Sequence, residues 1–220
     1  PAGAAAGAQT LTYELCEAAT RNCDSAGITL FIRPEAADAA FTTNVGRELA
    51  GNVAVNDNAP AGSTYVVVGT PPPGLQFAAD GSFTYLPPAQ LTGVTAFDYQ
   101  VCLPGADAAV CATACARITV NAGTLAANDD DFRAAPLDPT TGGTTNSLLA
   151  NDTYNGAIPP DPADMLLTLV GAPPGYSINA NGTVSIPGGA AAGAVNFGYQ
   201  MCERALPTNC ASANVALLLV

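Results

Sequence analysis

Short runs in which apolar and polar residues alternate are the dominant pattern along this chain. Because successive side chains of a strand point to opposite faces, this period of two predicts half-buried β-strands rather than helices. Clusters of Gly, Pro, Asn and Asp separate the runs and predict turns between short strands. The clearest runs are LTYELCE at 11–17, GITLFI at 27–32, FDYQVC at 97–102, ARITV at 116–120 and FGYQMC at 197–202.

The chain also repeats itself. The recurring segments keep the same order and divide the chain into two complete repeats, 33–120 and 121–220, while residues 1–32 repeat only the last part. The matched segments are DAAF at 38–41 with DDDF at 129–132, NVAVND at 52–57 with SLLAND at 147–152, a PP-G turn, an Asp-Gly or Asn-Gly hairpin, and Y-x-x-C at 13–16, 99–102 and 199–202.

Each complete repeat predicts about seven short strands, which is the strand number of an immunoglobulin-like β-sandwich. Asp80-Gly81 and Asn181-Gly182 lie between alternating runs and predict hairpin turns. The fold class predicted is therefore all-β, with tandem immunoglobulin-like antiparallel β-sandwiches. Strands of the first repeat are expected near 36–43, 47–55, 64–69, 75–78, 82–86, 95–103 and 111–120.

The cysteines follow the repeat. In each Y-x-x-C strand the alternation turns the tyrosine toward the core and the cysteine outward, and a second cysteine starts the next strand. Disulfides across one hairpin on the outer surface of the sheet are expected, in an oxidising, extracellular compartment. The alternatives are reduced thiols or a metal site, but zinc usually needs CxxC spacing or histidine, which is absent. The pairs are Cys16–Cys23, Cys102–Cys111 and Cys202–Cys210.

Cys115 is the seventh cysteine and has no counterpart in the other repeats. It lies four residues beyond Cys111 on the same predicted face, too far along the strand for the two to bond. A pairing of Cys102 with Cys115 would fit the repeat alignment less well. Cys115 is therefore predicted to be a free thiol or to link a neighbouring chain.

Composition excludes several functions. The net charge of −12 with six Arg and no Lys argues against nucleic-acid binding. No run reaches the roughly 18–20 apolar residues of a membrane span. Without His or Lys, the usual catalytic bases and triads are missing, so no enzymatic activity is expected.

Together, the N-D motif, the PP-G turn, the hairpin and Y-x-x-C…C resemble the tandem immunoglobulin-like or cadherin-like repeats of large bacterial surface proteins and adhesins. The resemblance covers essentially the whole chain and implies a secreted, stalk-forming or adhesive protein at the cell surface without a catalytic site. VNDNAP at 55–60 resembles the calcium-binding linker of animal cadherins, but the repeat alignment places it inside a domain. The better-placed candidates for Ca²⁺ are Asp129, Asp130 and Asp131, whose alternative interpretation is a solvated acidic loop.

Two function classes compete. The first is a structural repeat segment of an extracellular filament, stalk or sheath, and the alternative is an adhesive module that binds a glycan or a host protein. Sugar-binding surfaces typically expose aromatic rings, yet Trp is absent and several aromatic side chains are assigned to the core, namely Tyr13, Tyr99, Tyr199, Phe97 and Phe197. Tyr65, Tyr154 and Tyr176 remain candidates for such a surface.

Residues 1–32 supply the last two strands of a sandwich whose earlier strands are not in this sequence. A lone hairpin is marginal in water, so a partner must cover its apolar face. We expect that partner to be an adjacent repeat or a neighbouring copy of the protein, and docking on a neighbour's sheet edge is the second possibility. The predicted assembly face consists of Leu11, Tyr13, Leu15, Ile28, Leu30 and Ile32.

Overall fold

The structure is a computed structural model that describes residues 5–104 and 110–220. Within these residues the chain forms strands, short 3-10 helices and turns, and no helix has the length and apolar character needed to cross a membrane. The chain divides into two compact units. One comprises the residues up to Pro88 with Gly93–Val120, and the other comprises Ala89–Thr92 with Asn121–Val220.

The strands are numbered in chain order. Those of the first unit are β1 (Gly7–Cys16), β2 (Cys23–Ile32), β3 (Ala39–Asn44), β4 (Leu49–Asn52), β5 (Thr64–Val68), β6 (Leu75–Phe77), β7 (Ser82–Tyr85), β8 (Gly93–Cys102) and β9 (Cys111–Asn121). Those of the second are β10 (Leu125–Ala126), β11 (Asp130–Asp131), β12 (Gly143–Thr144), β13 (Thr153–Tyr154), β14 (Met165–Val170), β15 (Ser177–Ile178), β16 (Val184–Ile186), β17 (Gly193–Glu203) and β18 (Leu206–Leu219). The 3-10 helices are Val53–Val55, Leu148–Asn151 and Pro162–Asp164.

The first unit contains a four-stranded sheet in the order β3-β9-β8-β5 and a three-stranded sheet in the order β4-β7-β6. Alternation along β8 builds the core, since Phe97, Tyr99 and Val101 are buried while Asp98 between them is exposed. Phe83 of β7 meets Phe97 edge to face, with ring centroids 5.5 Å apart. The two sheets therefore pack face to face around one apolar core, which confirms the predicted β-sandwich.

The second unit repeats this design with the sheets β11-β18-β17-β14 and β12-β16-β15, and adds a short β10-β13 pair. Its core joins Phe197 and Tyr199 of β17 to Val184 and Ile186 of β16. One pairing differs from a purely antiparallel sandwich, because β11 runs parallel to β18. A short strand near the start of the unit thereby lies beside its last strand.

A strand was expected to continue through residues 47–55, but β4 ends at Asn52 and a 3-10 helix follows. The Asn52 side chain accepts a hydrogen bond of 2.8 Å from the Ala54 N–H and caps this helix. In the second unit Ser147 caps the equivalent helix through the Leu149 N–H. This local side-chain bond competes with the strand, because Asn and Ser readily satisfy the free N–H groups at a helix start.

The PP-G turn brings the backbone of the first unit into close contact with itself. Gly74 has a φ of +89°, a conformation that favours glycine. A Cβ atom at this position would lie 2.1 Å from the Leu86 carbonyl oxygen. Gly74 is therefore required by both conformation and space.

We predict that Gly74→Ala destabilises the first unit by at least about 2 kcal/mol, since it adds the clash to the cost of a left-handed alanine. Gly69→Ala is the matched control, because Gly69 has a similar φ of +82° and nothing within 4 Å of its Cβ position. Urea denaturation of both variants measures the difference. Equal losses of stability in the two variants would show that the Leu86 carbonyl can move away from the added Cβ atom at little energetic cost.

Candidate functional site

The candidate site is the hairpin formed by β1 and β2. Its register pairs Leu11 with Ile28, Tyr13 with Ala26 and Cys16 with Cys23. Five of the six predicted assembly residues are between 45% and 73% exposed, and Ile32 is half-buried. Monomeric soluble proteins rarely leave an apolar face of this kind uncovered. The five exposed residues are Leu11, Tyr13, Leu15, Ile28 and Leu30.

The same hairpin occurs in the core of each unit. Tyr99 pairs with Ala114 and Cys102 with Cys111 in β8–β9, and Tyr199 pairs with Ala213 and Cys202 with Cys210 in β17–β18. In the second unit all six positions equivalent to the assembly residues are buried. They are Phe197, Tyr199, Met201, Val215, Leu217 and Leu219. The exposed face of β1–β2 thus corresponds to a surface that forms a sandwich core elsewhere in the chain.

A tyrosine–aspartate pair in which the tyrosine is buried fixes this hairpin in each unit. The Tyr99 hydroxyl lies 2.8 Å from Asp57 Oδ1 and also contacts the Ala37 carbonyl oxygen. Asp57 Oδ1 accepts a further hydrogen bond of 2.7 Å from the Ala37 N–H. Burial and the neighbouring Asp57 raise the pKa of Tyr99, so its hydroxyl remains a donor.

The second unit contains the equivalent pair. The Tyr199 hydroxyl lies 2.7 Å from Asp152 Oδ2, and the Asn128 N–H donates a 2.7 Å bond to Asp152 Oδ1. Asn151 of the same N-D motif donates to the Asp129 carbonyl oxygen at 3.0 Å. The N-D motif therefore attaches the start of the unit to its penultimate strand, a role that was not predicted from the sequence. The sequence signal for this role was that the N-D motif recurs together with the Y-x-x-C motif.

Tyr13 occupies the position of Tyr99 and Tyr199, and its hydroxyl has no hydrogen-bond partner within residues 5–104 and 110–220. Its side chain is about half exposed. The hairpin thus presents a hydroxyl group that is paired with an aspartate in both other copies.

The hairpin of the second unit also carries a buried glutamate, Glu203, at the end of β17. Glu203 is fully buried and accepts hydrogen bonds from the Tyr154 hydroxyl at 2.7 Å and from the Gly123 N–H at 3.0 Å. Asn209 donates to Glu203 at 3.0 Å and to the Gly123 carbonyl oxygen at 2.7 Å. These bonds hold the start of the second unit against the loop between β17 and β18. No pattern in the sequence predicted that Glu203 is buried.

All three predicted cysteine pairs are bonded in the structure, with Cα atoms 4.0 to 4.2 Å apart. Their outward position was predicted to expose them, yet Cys111 and Cys202 are buried. Cys202 lies on β17, an inner strand of its sheet, and pairs with Leu166 of the neighbouring strand β14. The Arg33 side chain donates a 2.7 Å bond to the Cys111 carbonyl oxygen and lies next to that cysteine.

Cys115 is the free cysteine of the described residues and is half-buried. Its register partner is Asp98, and its N–H donates a 2.9 Å bond to Asp38. Burial raises the pKa of the Cys115 thiol, and hydrogen bonding to Asp98 adds to this. The thiol is therefore less reactive at neutral pH than an exposed cysteine.

The structure does not gather the three Ca²⁺ candidates into one site. Asp129 accepts the Asn214 N–H at 2.8 Å, and Asp131 forms an ion pair of 2.6 Å with Arg133. Asp130 is buried, and its Oδ2 atom has no hydrogen-bond partner within the described residues. The three carboxyl groups have separate environments.

Two of the three tyrosines considered for glycan binding lie in the core. Tyr65 and Tyr154 are buried, and Tyr176 is half-buried against Phe197 with ring centroids 5.9 Å apart. These three residues therefore do not form an exposed aromatic surface.

Comparison with known proteins gives one family match. Residues 33–121 match the family model described as "Bacterial Ig domain". No curated protein matches the sequence.

Solved structures with similar folds have low sequence identity. An endo-fucoidan hydrolase from glycoside hydrolase family 107 is 14% identical with a TM-score of 0.39, and the match covers 100% of this chain and 34% of that one. Mouse clustered PcdhgC3 EC1–3 is 17% identical with a TM-score of 0.36, and the match covers 97% of this chain and 77% of that one. Drosophila N-cadherin EC1–4 is 10% identical with a TM-score of 0.37, and the match covers 91% of this chain and 54% of that one. The chain thus spans about a third of the hydrolase.

Proposed function

We propose that the chain, whose residues 33–121 match the bacterial Ig domain model, is a structural repeat segment of an extracellular bacterial surface filament, stalk or sheath. The observation that carries this proposal is the uncovered apolar face of β1–β2, which has the residues and register of a sandwich core. Its partners would be adjacent repeats or neighbouring copies of the same protein. No catalytic role is proposed.

Two further observations support this role. Three disulfides favour an oxidising compartment outside the cell. Each also clips the end of a hairpin, which stiffens strands that would otherwise fray. Binding of a glycan has less support, because the three tyrosines considered for it, Tyr65, Tyr154 and Tyr176, are buried or half-buried.

We predict that the chain 1–220 associates in light scattering whereas 33–220 is a monomer, because removal of β1–β2 eliminates the exposed apolar face. Leu30→Glu should reduce association, since it places a charge on that face. Thr29→Glu adds the same charge to the opposite face and should leave association unchanged. If 1–220 and 33–220 are equally monodisperse and stable, the proposed role loses its main support.

A further inference from the structure

The three disulfides differ in how far their cysteines are exposed to solvent. Cys16 and Cys23 are both exposed, whereas each of the other two pairs contains one buried cysteine, Cys111 in the first unit and Cys202 in the second. The difference follows from sheet size, because β1–β2 is a two-stranded sheet while β9 and β17 are inner strands of four-stranded sheets. Reagents in solvent therefore have access to both cysteines of the β1–β2 pair.

Access to both cysteines decides whether a disulfide exchanges readily with a thiol. A thiolate attacks one sulfur atom, the S–S bond breaks, and the other sulfur leaves as a thiolate. In the pairs that contain Cys111 and Cys202, attack at the more exposed cysteine would place the departing negative charge on the buried one, which burial disfavours. Attack at the buried cysteine itself is blocked sterically. Neither obstacle applies to Cys16–Cys23.

The surroundings of Cys16–Cys23 discriminate between thiols by charge. The disulfide lines an open cavity of about 610 Å³. A carboxylate oxygen of Glu14 lies within 4.8 Å of both sulfur atoms, and Glu17 and Asp24 adjoin the two cysteines in sequence. Because the attacking thiolate is an anion, these carboxylates disfavour negatively charged thiols relative to neutral or cationic ones.

We propose that Cys16–Cys23 is a thiol–disulfide exchange site for neutral or cationic thiols. With a dithiol, one thiolate of the reagent bonds to one cysteine sulfur, and the other cysteine leaves as a thiolate that takes a proton from water. The second thiol of the reagent then loses its proton, attacks the mixed disulfide and releases the remaining cysteine. The reagent is oxidised to a cyclic disulfide, and the protein disulfide is reduced to two thiols.

Opening of this disulfide also changes the assembly face, a consequence that rests on the structural role proposed above. No third strand pairs with β1 or β2 in the described residues, and a lone two-stranded hairpin is marginal in water. Cys16 and Cys23 join the two strands beside the turn, next to Leu15 of the assembly face. Reduction should therefore loosen the hairpin and weaken the association of the chain.

The test reduces the full chain with dithiothreitol, a neutral dithiol, after the free thiol of Cys115 has been blocked. Iodoacetamide traps the new thiols over time, and peptide mass spectrometry measures all three disulfides in the same sample. We expect Cys16–Cys23 to be reduced at least about tenfold faster than Cys102–Cys111 and Cys202–Cys210. Comparable rates for the three disulfides would overturn the proposal.

Selection by charge is tested with two monothiols at low ionic strength, cationic cysteamine and anionic glutathione. After correction for the thiolate fraction of each reagent, cysteamine should form the mixed disulfide with Cys16 or Cys23 several-fold faster. Glu14→Gln should reduce this ratio of rates by about threefold, since it removes the nearest carboxylate. Glu48→Gln removes the same charge outside the hairpin and should leave the ratio unchanged. An unchanged ratio in Glu14→Gln would contradict selection by charge.

Light scattering of 1–220 before and after selective reduction measures the effect on assembly. We expect association to decrease on reduction, and Cys16→Ser with Cys23→Ser should reproduce the decrease. Association that persists after reduction would refute the link between the disulfide and assembly. Failure of the proposed structural role appears instead as equal scattering of unreduced 1–220 and 33–220, which leaves the labelling rates unaffected.

Discussion

Replacement of Tyr199 by phenylalanine should destabilise the second unit by about 2–4 kcal/mol at pH 7. The Tyr199 hydroxyl contacts both oxygens of Asp152, at 2.9 and 2.7 Å, and Asp152 is fully buried. Without the hydroxyl, the carboxylate keeps the Asn128 N–H at 2.7 Å and loses its strongest side-chain donor. A buried charge with too few hydrogen bonds is costly.

The loss should depend on pH. Burial raises the pKa of Asp152, while bonds from Asn128 and Tyr199 lower it, so removal of the hydroxyl raises this pKa further. A carboxyl group with a raised pKa in the folded state reduces stability as pH increases above its unfolded pKa of about 3.9. The deficit of Tyr199→Phe should therefore be largest at pH 7 and smaller at pH 4.

Urea denaturation at both pH values measures this effect. Tyr13→Phe is the control, because Tyr13 occupies the same hairpin position without a hydrogen-bond partner in the described residues. We expect its stability to equal that of the unmodified chain within about 0.5 kcal/mol. If Tyr199→Phe were as mild as Tyr13→Phe, the tyrosine–aspartate pair would not stabilise the fold.

Asp130→Ala should make the second unit more stable at pH 8, by about 2–4 kcal/mol. Burial, with the charges of Asp152 and Asp129 nearby, raises the pKa of Asp130 to about 7. The folded state therefore binds a proton that the unfolded state releases near pH 4, and stability falls as pH rises from about 4 to about 7. Alanine removes this penalty, and Ala39 already fills the equivalent buried position in the first unit.

Thermal unfolding, measured from pH 4.5 to pH 8, tests this prediction. The gain should shrink toward pH 4.5, where Asp130 is protonated in the folded state. Asp131→Ala is the neighbouring control, because Asp131 is exposed and its bonds to Arg133 hold the pKa of its carboxyl group to about 2. That substitution should change stability little and never increase it. A loss of stability in Asp130→Ala at pH 8 would contradict the assigned penalty.

Alternation and repetition together predicted most of the sandwich. A period of two fixes which side chains of β8 and β17 face the core, and alignment of the Y-x-x-C motifs indicates which cysteines face each other. The 3-10 helix at Val53–Val55 was missed, because valine favours strands and the capping bond of Asn52 is a local alternative to the sheet.

The buried polar groups could not be predicted in the same way. Tyr99 and Asp57 are 42 residues apart, and Glu203 and Gly123 are 80 apart, so no local pattern connects them. Alternation places Asp130 on a strand without stating how deeply neighbouring elements will bury it. These contacts arise from packing between segments that are distant in sequence, and only the repeat of the N-D motif hinted at one of them.

The parallel pairing at the edge of the second unit determines how that unit responds to tension. The Phe132 N–H bonds the Ala216 carbonyl at 2.8 Å, and Leu137 exchanges bonds with Leu218 and Val220 at 3.1 and 3.0 Å. Because the first and last segments run side by side in the same direction, pulling on the two ends of the unit shears these bonds simultaneously rather than opening them one after another. A strand pair loaded in this way slows forced unfolding, which is governed by the unfolding rate. The unit therefore has the geometry of a mechanical clamp.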